Sequence, residues 1–403
     1  MPGLRPADPE ILATAVADSL VVAVDKGSSD ACLFFYYRAR PWVNSVVEAV
    51  RASEDPQIRK RGELLLDTPD DPDHYHLFKE ALLARGNDAV VEELFEKGWQ
   101  AETRNRLGYF LGSRYRNDVR DPVTAEQMSA MAPVNPPSAA EDAEILVVIP
   151  FQDRNPERRR LRNLLACLMT LHDQSYPRDR YRVVVVESDD QSRHREIIEP
   201  FVDEYFFAPK GGLFSKSWAV NVGVVAAVGK ADAICILDAD VLADRDFIAR
   251  NAERLSGPGT SGHLTYQSMH CLSEKATVEA IQQRIIEGAG QPDTETLRGF
   301  VMRRPPGCCV WARTSAFMLV NGMDERFEGW GGEDNDFAYR MDVHSAFHTY
   351  NDWLLHMWHP PSSVIYDNGE LPSSWIPKLS WSPDEPIGRI DKFTTPEVSG
   401  TPA

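Results

Sequence analysis

The sequence predicts an α/β protein: a Rossmann-like, mostly parallel sheet with helices on both faces, preceded by an α-helical N-terminal domain. Three observations carry this. From Asp8 to about Arg116, apolar residues recur three and four apart, as in segments 78–85 and 90–97. After a stretch rich in Pro, Ala and Ser between Asp121 and Glu144, short apolar strands alternate with helices. A chain of 403 residues also exceeds the comfortable size of a single core. The expected division is a helical domain over 1–120, a linker over 121–144, a catalytic domain over 145–365 and an extension over 366–403.

Between the two helical segments, Gly86, Asn87 and Asp88 combine a helix stop with a new N-cap. Further on, 145–149 reads as a strand, 158–172 as a helix, 181–186 as a strand, 217–228 as a helix and 233–237 as a strand. Strands this continuously apolar belong to a parallel sheet covered on both faces. Ligands bind such sheets beyond the carboxyl ends of the strands. The residues to examine are therefore those just after each run: Pro150 to Arg154, Glu187 to Asp190, and Asp238 to Asp240.

Charge and cysteine usage exclude several classes. With 43 Lys and Arg against 61 Asp and Glu, the net charge is −18, and no basic run is long enough to track phosphates. Nucleic acid is thus a poor partner. Arg158, Arg159, Arg160 and Arg162 interleave with Leu161, Leu164 and Leu165 and read as one solvated helix face. The cysteines at 32, 167, 235, 271, 308 and 309 show no paired spacing and fit buried thiols in a reducing compartment. No segment reaches the roughly 20 apolar residues of a membrane span, and no leader pattern opens the chain. A cytoplasmic location is the expectation.

Asp238 and Asp240 place two carboxylates one residue apart directly after the strand at 233–237. Hard oxygen ligands with room left for water and phosphate are how Mg²⁺ or Mn²⁺ is held against a diphosphate. Alone, such a pair is as easily a solvated turn. A second cluster supplies context: Gly329, Trp330, Gly331, Gly332, Glu333, Asp334 and Asp336 precede a helical run. Glycines admit close backbone approach, and Trp330 offers a flat apolar face for a sugar ring. Carboxylates at a helix start are favoured as anions, so one can act as a general base; the bland alternative is that they only cap the helix. A third run holds His356 and His359 three apart; on a strand they would point to opposite faces, leaving one for a metal.

These residues resemble the GT-A glycosyltransferases, in particular the inverting family-2 enzymes and the β-1,4-galactosyltransferases, over about residues 145–361. The resemblance implies a nucleotide-sugar donor and a hydroxyl acceptor, with Mn²⁺ or Mg²⁺ as cofactor. It implies donor contacts from Pro150, Phe151 and Arg154, with Gln152 and Asp153 departing from the family pattern. Glu187 falls at the uracil-binding position and Lys216 in the donor segment, while Asn221 braces its helix. Asp238 and Asp240 match the metal-binding DxD motif, and His359 is the match for the family's histidine ligand, with His356 as the alternative. Trp330, Gly331, Gly332 and Glu333 fall on the sugar-contacting turn, and Asp334 on the catalytic base.

The same resemblance implies an inverting transfer of a hexose from a UDP-sugar of the glucose or galactose type. A small acceptor is expected, and a narrower possibility is an aminocyclitol, as in a validoxylamine-type glucosyltransferase; a glycan acceptor is the alternative. A nucleotidyltransferase would need a Gly-rich basic loop after the first strand, where this chain has Pro150, Phe151, Gln152 and Asp153. A non-catalytic nucleotide-sugar binder would lack either the DxD or the Glu333 and Asp334 pair, and both are present. The helical N-terminus carries no chemical signal; homo-oligomerisation is one role open to it.

Overall fold

The computed structural model describes residues 5–86, 88–118, 121–227, 229, 231–361 and 371–394. Val228, the last residue of one expected helix, and the expected boundary at 365–366 lie outside the described residues. The chain forms two compact units. One comprises residues 1–122, 267–305 and 352–361, the other residues 123–266, 306–351 and 362–403.

The first unit opens with six helices: α1 (Pro9–Val24), α2 (Lys26–Ala31), α3 (Leu33–Ala52), α4 (Pro56–Asp67), α5 (Pro72–Leu83) and α6 (Ala89–Arg104). Three of them begin the same way, with Asp8, Asp55 or Asp71 accepting from the first-turn amides and a proline next in sequence. An aspartate caps the free N–H groups, and proline gives up no hydrogen bond there. Gly86 adopts φ 56° and Asp88 caps α6, as the stop-and-cap sequence predicts. Their inward faces, including Leu20, Val46, Ile58, Phe78 and Leu94, make one apolar core.

The helical pattern does not continue to Arg116. Leu107–Leu111 is a strand, β1, paired antiparallel with β9 (Arg298–Arg303). In the same unit, β9 pairs antiparallel with β8 (Ser268–Leu272), which runs parallel to β12 (Leu354–His356). A pairing partner so far downstream leaves no local trace in the sequence, which is why periodicity alone extends the helices too far.

In the second unit, α7 (Ala125–Ser129), started by a Thr124 and Gln127 capping box, lies within the stretch read as a linker. The elements of the larger sheet come next: β2 (Ile145–Phe151), α8 (Arg159–His172), β3 (Tyr181–Asp189), α9 (Arg195–Ile198), β4 (Glu204–Pro209), α10 (Lys216–Ala226) and β5 (Ala233–Leu237). After the two-residue β6 (Val241–Leu242) come α11 (Phe247–Ser256), β7 (Gly262–Leu264), β10 (Cys309–Arg313), α13 (Thr314–Leu319), α14 (Glu333–His344) and β11 (Phe347–Thr349); α12 (Glu274–Ile281) belongs to the first unit. The sheet order is β11-β7-β10-β5-β2-β3-β4. Strands β5, β2, β3 and β4 are parallel, while β10 runs antiparallel to both β5 and β7. Val148, Val184 and Val186 pack under Trp218, Ala219 and Val222 of α10; Ile234, Ile236 and Val310 pack with Phe317, Phe337 and Met341.

The arginine run is only partly the solvated face the sequence suggests: Arg158 is exposed, Arg159 and Arg160 are half-buried and Arg162 is buried. Arg162 is only 1% exposed, because the helical period turns it inward with Leu161 and Leu165. All six cysteines are buried and none forms a disulfide, and no helix among the described residues is long and apolar enough to cross a membrane.

Candidate active site

Three parallel strands end at one edge, each handing over a polar group. At the end of β2, Pro150 and Phe151 are buried, and Asp153 in the following loop accepts from the Leu161 amide in the first turn of α8 at 2.9 Å. Arg154 reaches Asp189 at the end of β3, with 2.6 Å from Nη2 to Oδ1. Glu187 is wholly buried; it accepts from the Arg193 amide at 3.1 Å and from the Tyr205 hydroxyl, so its carboxylate shapes the loop after β3.

The third strand, β5, delivers the remaining strand-end acids. Asp238 comes directly after β5, and its amide donates to the Cys308 carbonyl at 2.8 Å. Lys216, the first residue of α10, places Nζ 2.7 Å from Asp238 Oδ1 and 3.1 Å from Asp334 Oδ1. One ammonium thus bridges the first acid of the DxD pair and the acid of the Gly-rich turn. All three side chains are largely shielded, at 11% exposure for Lys216, 22% for Asp238 and 19% for Asp334. Asp240 is buried as well.

Glu333 and Asp334 open α14 beneath a turn in which Gly331 and Gly332 both adopt φ 103°, a region open to glycine without strain. Asp336, further into the helix, is fully buried, pairs with Arg340 at 2.7 Å and accepts from the Leu379 amide at 2.7 Å. Of the three acids, Asp336 is therefore the structural one. Helix-start stabilisation does not dominate the other two. Burial, then the neighbouring Asp334, pushes the Glu333 carboxyl up to about 7, and burial raises Asp334 despite the attraction of Lys216. Burial disfavours the Lys216 ammonium, but Asp238, Asp334 and Glu333 outweigh it and hold the lysine well above its ordinary value.

A model of the family-2 glycosyl transferases matches residues 146–315, the stretch that carries these strand ends, and a galactosyltransferase N-terminal-domain model matches residues 302–348. Residues 146–315 thus match the family-2 glycosyl transferases. The chain is 26% identical over 235 residues to validoxylamine A glucosyltransferase of Streptomyces hygroscopicus subsp. limoneus, covering 52% of this chain and 50% of that protein. The same enzyme of subsp. jinggangensis is 25% identical over 203 residues, covering 44% and 47%. The chain thus spans about half the length of these relatives. Among solved structures, the mannosyltransferase PcManGT of Pyrobaculum calidifontis, in complex with GDP-Man and Mn²⁺, is similar with TM-score 0.36 and 16% identity, covering 60% of this chain and 64% of that one.

Within the matched stretch the sequence does not single out Tyr266 as a site residue, nor show why position 307 must be glycine. A Cβ on Gly307 would stand 2.1 Å from Asp334 Oδ2, so only glycine lets that carboxylate sit there. The Tyr266 hydroxyl donates to the Gly307 carbonyl, and Cys308 takes φ 64° to aim its own carbonyl at Asp238. Arg160 likewise carries no sequence signal of its role: burial lowers its pKa while Asp240, Asp153 and Asp238 act against that, which puts its charge within reach of the DxD acids. Asn221 braces α10 as expected, but against the turn before α14: its amide holds the Met323 carbonyl at 2.8 Å and Glu325 at 2.9 Å.

His356 and His359 belong to the first unit. The opposite-faces argument fails for them, because β12 stops at His356 and the chain beyond it is no longer a strand. Their rings lie side by side with centroids 5.2 Å apart, so the two side chains are not on opposite faces.

The donor set suits a hard dication. Asp238, Asp240, Glu333 and Asp334 are four carboxylates, and the cations acting on them include Lys216, Arg160 and, at Glu333, Lys378. Burial is the main cause of the raised Glu333 value and the Asp334 charge the second; a divalent ion at the strand end would offset the negative charge gathered there.

Proposed function

We propose that this chain transfers a hexose from a UDP-sugar, of the UDP-glucose or UDP-galactose type, to a hydroxyl of a small acceptor with inversion. The observation that carries this reading is the single ammonium of Lys216 within reach of both Asp238 and Asp334, which supports a donor-side and an acceptor-side acid acting on one sugar. Asp334 takes the acceptor proton as the hydroxyl attacks the anomeric carbon from the face opposite the leaving group. Glu333, with its carboxyl near 7, holds sugar hydroxyls as donor or acceptor, and Trp330 covers the ring. Pro150, Phe151, Arg154 and Glu187 form the nucleotide side.

Mn²⁺ or Mg²⁺ would be held by Asp238 and Asp240 and, on the family resemblance, by His359 or its alternative His356; when bound, it neutralises the leaving diphosphate as a Lewis acid. The similarity to validoxylamine A glucosyltransferases favours an aminocyclitol acceptor over a glycan.

The test is UDP release across a panel of UDP-sugars, with and without Mn²⁺ and with validoxylamine A or a simple glycan as acceptor, beside the Asp240→Ala protein. Metal-dependent release with one donor, abolished by Asp240→Ala, is the expected result. No release with any donor would refute catalysis and leave a nucleotide-sugar binder.

A further inference from the structure

The Gly-rich turn does not stand alone: the C-terminal segment packs on it residue by residue. Ser373 makes two hydrogen bonds to Glu328 at the start of the turn, its Oγ accepting from the Glu328 amide at 2.9 Å and donating to the Glu328 carbonyl at 2.8 Å. The space that a side chain would need at each glycine is filled by this segment. A Cβ on Gly329 would lie 3.2 Å from Pro372, one on Gly331 2.8 Å from Leu371, and one on Gly332 2.7 Å from the Lys378 ammonium. The next contact reaches the helix that carries the acids: the Leu379 amide donates to Asp336 at 2.7 Å, where Asp336 is already held by Arg340. The segment lies outside residues 146–348, the span that the two family models cover together.

We propose that residues 371–379 are a positioning element for the acceptor-side acids, with Ser373 as the residue that fixes the turn. Three glycines at φ 73° to 103° give the turn many alternative conformations. A turn this permissive holds Glu333 and Asp334 in one place only if something outside it limits the choice. The two-point clasp of Ser373 on Glu328 fixes the entry to the turn, and the contact of Leu379 with Asp336 fixes its exit. Ser373 touches no reacting atom and acts through the backbone of Glu328.

This rests on the glycosyltransferase reading for its catalytic consequence, but not for its structural one, so the test uses two measurements. In Ser373→Ala both hydrogen bonds are lost. The expected result is a fall in kcat for transfer of roughly tenfold, as a misplacement of about 1 Å or less would give. KM for the donor and UDP affinity stay within twofold, the amides of residues 328–336 exchange faster, and Ser373→Thr restores all of these. Unchanged exchange and unchanged kcat in Ser373→Ala would overturn the proposal. So would loss of UDP binding together with a melting temperature that Ser373→Thr does not recover, since that is general unfolding. If the natural protein transfers no sugar, the functional reading fails, and exchange across residues 328–336 still decides whether the clasp exists.

Discussion

Replacing Lys216 with Met keeps the length of the side chain and removes the charge that joins Asp238 to Asp334. The ammonium lies 2.7 Å and 3.1 Å from the two carboxylates, with 11% of the lysine exposed and about a fifth of each acid. Removing one partner of a buried pair costs about 3–5 kcal/mol, because the other charges stay buried without it. The partial exposure of the acids points to the lower end, about 3 kcal/mol. For a unit of this size that corresponds to a fall in Tm of roughly 6–12 °C. Without Lys216 the folded-state values of Asp334 and Glu333 rise further, and a carboxyl raised on folding has its stability intact below the unfolded value and loses it as pH rises through the folded one. The deficit should therefore be small near pH 4 and largest at pH 8. Thermal melts in EDTA at both values, repeated with MnCl₂, read this directly. Manganese should recover more Tm in Lys216→Met than in the natural protein. Equal melting of the two proteins at pH 8 in EDTA would refute the claim that this lysine is the counter-ion of the cluster.

Asp334→Asn should lower the transfer rate by about two orders of magnitude or more while UDP affinity, read by calorimetry, changes less than twofold. Gly307→Ala forces a methyl group to within 2.1 Å of the Asp334 carboxylate, so transfer should drop about a hundredfold with nucleotide binding retained. For Glu333, raised to about 7 from an ordinary 4.5, the contribution to folding is complete below about 4.5 and is lost as pH rises through about 7. Metal-free melting temperature should therefore decline across that window in the natural protein, and Glu333→Gln should flatten the decline.

The parts of this molecule that can be read from sequence are those encoded locally. Strands β2, β3 and β5 announce themselves by unbroken apolar runs, and the acids just beyond them sit at the sheet edge because a parallel strand must deliver its next residue there. The acid-bearing start of α14 is equally legible, since glycines and carboxylates cluster before a helical run. What escapes is long-range. The register of β1 is set by β9, the fate of Arg162 by what covers its side of α8, and the need for glycine at 307 by a carboxylate that arrives 27 positions later (334 − 307). The ionisation of Glu333 is illegible for the same reason, as the helix start is local but the burial that outweighs it is tertiary.

The discontinuity of the first unit bears on how the chain is made and divided. Its sheet needs β1 from one stretch, β8 and β9 from a second and β12 from a third, so a growing polypeptide holds an unfinished edge until His356 has been synthesised. An excised helical fragment ending near residue 118 would keep β1 without β9 and leave Tyr109 without its Phe300 neighbour. Expression of that fragment by itself therefore invites strand-to-strand association rather than an independent module.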